Sequence, residues 1–116
     1  MKLLIVDDNK SMRHLIRSVV AAPDDVVSEC AAGIDVEYAY QTNQPDVVLM
    51  DLQMPKVNGI TATRNLKKKY PNANVIIVSN FKDQEFQDEA RDAGASSYFT
   101  KDDLLQLKSF IHQKAH

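Results

Sequence analysis

Short runs of apolar, mostly β-branched residues recur along the chain, separated by longer stretches of mixed character. Leu3 to Val6, Val47 to Met50 and Val75 to Val78 are continuous, Val26-Val27 is a shorter run, and Ser96 to Phe99 is a weaker fifth. Runs without polar alternation predict strands covered on both faces, as in a parallel sheet. Between them the period lengthens. Met12, Leu15, Ile16, Val19 and Val20 fall at helical spacing ahead of Pro23, and Leu104, Leu107, Phe110 and Ile111 form a similar stripe later in the chain. Gly33 to Asn43 is predicted as a second helix, closed off before Pro45. Asn58 to Tyr70 is predicted as a third, ended by Pro71, and Asp83 to Ala93 as a fourth, ended by Gly94 in a left-handed turn.

Strand and helix thus alternate five times, which predicts an α/β, doubly wound (βα)5 domain of the flavodoxin-like kind, with a parallel five-stranded sheet in the order 2-1-3-4-5. Ligands of such sheets bind beyond the carboxyl ends of the strands, beside the switch point. The residues at those ends are Asp7 and Asp8, then Asp51, then Ser79 and Asn80, then Lys101. Each alone has an ordinary role as a cap, a turn hydroxyl or a surface charge. Together, three carboxylates on one pocket either take up protons or bind a cation. All-oxygen ligation selects a hard divalent ion, and Mg2+ suits one or two carboxylates plus a phosphate oxygen. A carboxylate beside Mg2+ and a lysine can attack a phosphoryl group, because both cations offset the charge that gathers during in-line transfer. The product is an aspartyl phosphate.

Composition narrows the alternatives. A chain of 116 residues suits one domain, spanning 1–116, and 44% hydrophobic with 26% charged residues is ordinary for a globular chain. A net charge of -2 offers no basic field for nucleic acid or an anionic membrane. No apolar run exceeds four residues, against the roughly 20 that span a bilayer. Cys30 is the only cysteine, which excludes an internal disulfide and a thiolate cluster and suits a reducing cytoplasm. There is no GxxxxGK[ST] loop, no GxGxxG turn and no GxSxG elbow. His14, His112 and His116 have no evident nucleophile partner, so nucleotide hydrolysis and serine-type hydrolysis drop out.

Four fragments in order, Leu4 to Asn9, Asp46 to Pro55 followed by Gly59, Val78-Ser79, and Tyr98 to Lys101, resemble the receiver domain of bacterial two-component response regulators, the CheY-like family. The resemblance implies a signalling module that accepts a phosphoryl group on Asp51 from a sensor histidine kinase, a phosphotransfer protein or acetyl phosphate, and that is not a turnover enzyme. It implies that Asp8 and Asp51 bind Mg2+ directly, that Asp7 acts through water, and that the Gln53 carbonyl supplies a further ligand. Lys101 would pair with the phosphoryl oxygens, Ser79 would donate to one of them, and the amides of Gln53 and Asn80 would hold others. Ser79 and Tyr98 would form the switch, with its readout to an output domain, a target protein or a second copy at the face of helix 4, strand 5 and helix 5.

Some positions depart from the common pattern. Asp102 stands where many receivers have proline, as in the NarL type. The chain runs to His116 with no helix-turn-helix after it, which leaves a stand-alone receiver or one excised from a longer regulator. Asn80 replaces a small residue beside the switch hydroxyl, and Gln53 and Phe81 occupy positions expected to tune phosphate lifetime. Helix 4 sets Asp83, Glu85, Asp88, Glu89 and Asp92 against Arg91, so a partner there should be basic or tolerate acid. Lys67 to Lys69 complement a helix dipole. Two other classes compete: a Mg2+-dependent phosphatase with an aspartyl nucleophile, which needs an acid where Gln53 stands, and a pseudo-receiver that binds partners without phosphate, which the full residue set opposes.

Overall fold

In the computed structural model, which describes residues 1–113, the elements run β1 (Lys2–Val6), α1 (Lys10–Val20), β2 (Val26–Cys30), α2 (Val36–Asn43), β3 (Val47–Asp51), α3 (Gly59–Lys69), β4 (Val75–Ser79), α4 (Gln84–Asp92), β5 (Ser97–Thr100) and α5 (Leu104–Gln113). His116 lies outside the described residues. The strands pair in parallel in the order β2-β1-β3-β4-β5, the order that the alternation predicts.

Side chains alternate across a strand, so each run feeds two cores. Leu4, Val6, Val48, Met50, Val75 and Ile77 pack with residues of α2, α3 and α4. Leu3, Ile5, Val47, Leu49, Ile76 and Val78 pack on the other face, against Ile16 and Val20 of α1 and Leu104, Leu107 and Ile111 of α5. Every residue of β3 and β4 is buried, which is why their runs show no polar alternation.

The second strand departs from expectation. β2 extends to Cys30 at the sheet edge, beside β1 alone; Val26 is 60% exposed and only Cys30 is buried, so the strand is less covered than the inner ones. Ser28 and Glu29 therefore sit in a strand that no apolar run could mark. Gly33–Asp35 forms a 3-10 turn ahead of α2, where one continuous helix is expected. The last strand is Ser97–Thr100, one residue later than its apolar run.

The helix ends follow local chemistry. Asn9 accepts from the Met12 amide and Asn58 from the Thr61 amide, so asparagine side chains cap α1 and α3. Gly94 ends α4 at φ +107°, the left-handed stop its position predicts. Lys67, in the last turn of α3, donates to the carbonyls of Pro71 and Ala73.

Candidate functional site

Register brings the acids together. Val6 lies opposite Met50, so the next residues, Asp7 and Asp51, stand side by side at adjacent strand ends. Ser79 lies opposite Thr100, and Lys101 follows at once. Continuing the alternation, Asp7, Asp51 and Lys101 extend the positions that face α1 and α5, whereas Ser79 and Tyr98 extend those facing α3 and α4. Asp7, Asp8 and Asp51 each offer an oxygen within 4.8 Å of the others. Lys101 Nζ lies 3.0 Å from Asp7 Oδ2 and 3.0 Å from Asp51 Oδ1. Asp7 and Asp51 are buried and Asp8 is exposed. The group opens into a cleft of about 400 Å³ that Gln53, Asn80 and Phe81 also line; Gln53 and Asn80 are exposed.

The electrostatics follow from three acids sharing one ammonium. Burial pushes the Asp51 carboxyl up; Lys101 opposes this, and the charges of Asp7 and Asp8 reinforce it, with a net rise. Burial alone would lower the Lys101 ammonium, but Asp51 and Asp7 outweigh it and hold the group above the ordinary lysine value. Asp7 Oδ1 accepts from the Asn9 amide at 2.9 Å. Its buried Oδ2 has the Lys101 ammonium at 3.0 Å as its ion-pair partner. Three carboxylate oxygens gathered within 4.8 Å make an all-oxygen donor set that fits a hard divalent cation.

The switch positions are joined through one residue, Phe81. Ser79, fully buried, accepts from the Phe81 amide at 3.0 Å, and the Tyr98 hydroxyl donates to the Phe81 carbonyl at 2.7 Å. Tyr98 is half-buried against the α3 and α4 core. Arg13 is a neighbour that sequence reasoning missed: its Nη1 donates to the Asp7 carbonyl at 2.6 Å. Its spacing of four from the cap Asn9, on the first turns of α1, was the available signal.

With this geometry established, comparison with known proteins places the chain. The family model of the response regulator receiver domain matches residues 3–112. The chain belongs to this family. The transcriptional regulatory protein YhcZ of Bacillus subtilis, itself uncharacterized, is 38% identical over 104 residues, 88% of this chain and 49% of the relative. Chemotaxis protein CheY of Thermotoga maritima is 36% identical over 101 residues, 86% of this chain and 84% of the relative. A solved LuxR-family two-component response regulator from an Aurantimonas species superposes with a TM-score of 0.89 at 31% identity, over 97% of this chain and 83% of that one. The receiver domain spans about half the length of the transcriptional regulators it matches. Response regulators take their signal from histidine kinases and govern outputs, and this domain is the receiver part of such a signalling system. Among the described residues no helix is long and apolar enough to cross a membrane.

Proposed function

We propose that this receiver accepts a phosphoryl group on Asp51, from a phosphohistidine of a sensor histidine kinase or phosphotransfer protein or from acetyl phosphate, and changes conformation as a result. An Asp51 carboxylate oxygen forms the new P–O bond while the bond from phosphorus to the donor breaks; the donor keeps the electron pair, a histidine nitrogen also taking up a proton and acetyl phosphate leaving as acetate. Water later cleaves the acyl phosphate to carboxylate and inorganic phosphate. Asp8, Asp51 and the Gln53 carbonyl would hold Mg2+ directly and Asp7 through water. Bound there, Mg2+ supplies positive charge against the phosphoryl oxygens. Lys101 offsets charge on the same group, and the amides of Gln53 and Asn80 hold its remaining oxygens.

Ser79 uses its oxygen toward Phe81 and keeps its proton for a phosphoryl oxygen. A shift of Ser79 pulls on Phe81, whose carbonyl Tyr98 holds, and this biases one arrangement of the α4, β5 and α5 face over another. That face would contact an output domain, a basic target protein or a second copy of the chain. The whole chain, 1–116, is read as one cytoplasmic receiver domain with no direct contact to nucleic acid or membrane.

The observation that carries this reading is the Lys101 ammonium 3.0 Å from both Asp7 and Asp51, inside a three-carboxylate cluster at the sheet's carboxyl edge. Incubation with Mg2+ and acetyl phosphate, followed by intact-mass measurement, tests it. Wild type should gain one phosphoryl mass and Asp51→Asn none. No gain in wild type, or equal gain in the variant, overturns the assignment.

A further inference from the structure

The carbonyl of Asp7 lies one residue past the end of β1, where the sheet no longer provides its regular pairing and a polar group needs another partner. Arg13 supplies it. The guanidinium donates through Nη1 to Asp7 O at 2.6 Å and through Nε to Glu29 Oε1 at 2.8 Å. Arg17 holds the second Glu29 oxygen at 3.1 Å. The Arg13 amide donates to the Asn9 carbonyl, while the Asn9 amide donates to Asp7 Oδ1 and the Asp7 amide to the Cys30 carbonyl. The turn from Asp7 to Asn9 is therefore gripped from α1 and from the edge strand together.

We propose that Arg13 is a positioning residue, braced by Glu29, that fixes the main chain of Asp7 and thereby sets the Asp7 carboxylate for a divalent cation. The inference rests on the acid-pocket reading above. Two physical points support it. The Arg13 side chain is only 14% exposed, and its fork spans a carbonyl and a carboxylate at once, which a single ammonium does not reproduce. A cation this close to three acids would also compete with a metal for them; Glu29 engages its charge on the edge strand, and the contact to Asp7 is with a neutral carbonyl.

The test uses the intact chain in calorimetric titrations with MgCl2, at a temperature where melting curves show every variant folded. Arg13→Ala should weaken Mg2+ binding about tenfold, the usual effect of losing a group that supports a ligand, and Arg13→Lys should not restore it. Glu29→Gln, at a partly exposed edge position, should weaken binding in the same direction, and the double variant should bind no more weakly than Arg13→Ala alone. Without metal, amide exchange at Asn9 should quicken in Arg13→Ala, because its acceptor on Asp7 loosens. If wild type binds Mg2+ and Arg13→Ala stays within twofold of it, the positioning role is wrong. Should Arg13→Ala fail to fold, unchanged affinity in Glu29→Gln overturns the proposal equally. Absence of Mg2+ binding in wild type would instead remove the acid-pocket reading and this inference with it, and unchanged Asn9 exchange would remove the inference alone.

Discussion

Gly59 lies so close to Asp51 that a Cβ at position 59 would stand 1.8 Å from the Asp51 carbonyl oxygen and 2.8 Å from its carbonyl carbon. The first residue of α3 is thus pressed against the main chain of the central acid, and its own amide donates to the Leu52 carbonyl at 2.7 Å. Only a residue without a side chain allows this approach. Gly59→Ala must push backbone rather than a flexible side chain, so it should cost about 2–3 kcal/mol, read as a lower urea midpoint. It should also reduce phosphoryl gain on Asp51 in whatever fraction remains folded.

Asp51 is held in the protein with its carboxyl above the ordinary value, first by burial and then by the neighbouring acids. Such a carboxyl favours the folded state fully below its unfolded pKa, and that contribution disappears as pH rises through the folded value. At neutral pH without metal, Asp51→Asn should therefore melt a few degrees above wild type, since Lys101 keeps Asp7 as a partner at 3.0 Å. The advantage should vanish in acid below the ordinary carboxylate value of 3.8. Added Mg2+ should stabilise wild type more than the variant, by mass action on the folded state. Thermal melts with EDTA and with Mg2+ at two pH values check the order.

Ser79 and Tyr98 hold opposite ends of the same residue, Phe81, one at its amide and one at its carbonyl. Tyr98→Phe removes one hydrogen bond and should cost about 1 kcal/mol; Ser79→Ala leaves the Phe81 amide without its acceptor and should cost about 1–2 kcal/mol. Because both act on one residue, the double variant should lose at least about 0.5 kcal/mol less than the sum. Urea denaturation of the four proteins measures the coupling, and strict additivity would show that Phe81 does not link them.

Away from the acid pocket, Asp25 ties three parts of the chain together. Burial would raise its carboxyl, but hydrogen bonds from the Ala22 amide, His112 and the Met1 ammonium lower it to about 2. The sign is that of a depressed carboxylate: the stabilisation is present above the ordinary carboxylate value of 3.8 and is lost as pH falls through about 2. Its size is about 2 kcal/mol. Urea stability should fall by that amount between pH 5 and pH 1 in wild type from this group, and Asp25→Asn should remove that part of the slope.

The sequence by itself determined the strands that are buried on both faces and the order in which they assemble. Leu3 to Val6, Val47 to Met50 and Val75 to Val78 have no polar positions because both of their faces meet helices, and βαβ crossovers admit few arrangements. It also marked Asp7, Asp8, Asp51, Ser79 and Lys101, since each stands within two residues of the end of an apolar run. The edge strand was partly hidden: Ser28 is only half-buried and Glu29 pairs with Arg13 of α1, so neither leaves an apolar trace. Tertiary structure alone decided which of the marked residues touch. Register set Asp7 beside Asp51, and strand alternation put Lys101 on their face and Ser79 with Tyr98 on the other. The grip of Arg13 on Asp7, and of Phe81 on both switch residues, runs through backbone atoms. Every residue type except proline supplies the same backbone groups, so no pattern of side chains could reveal those contacts before the chain was folded.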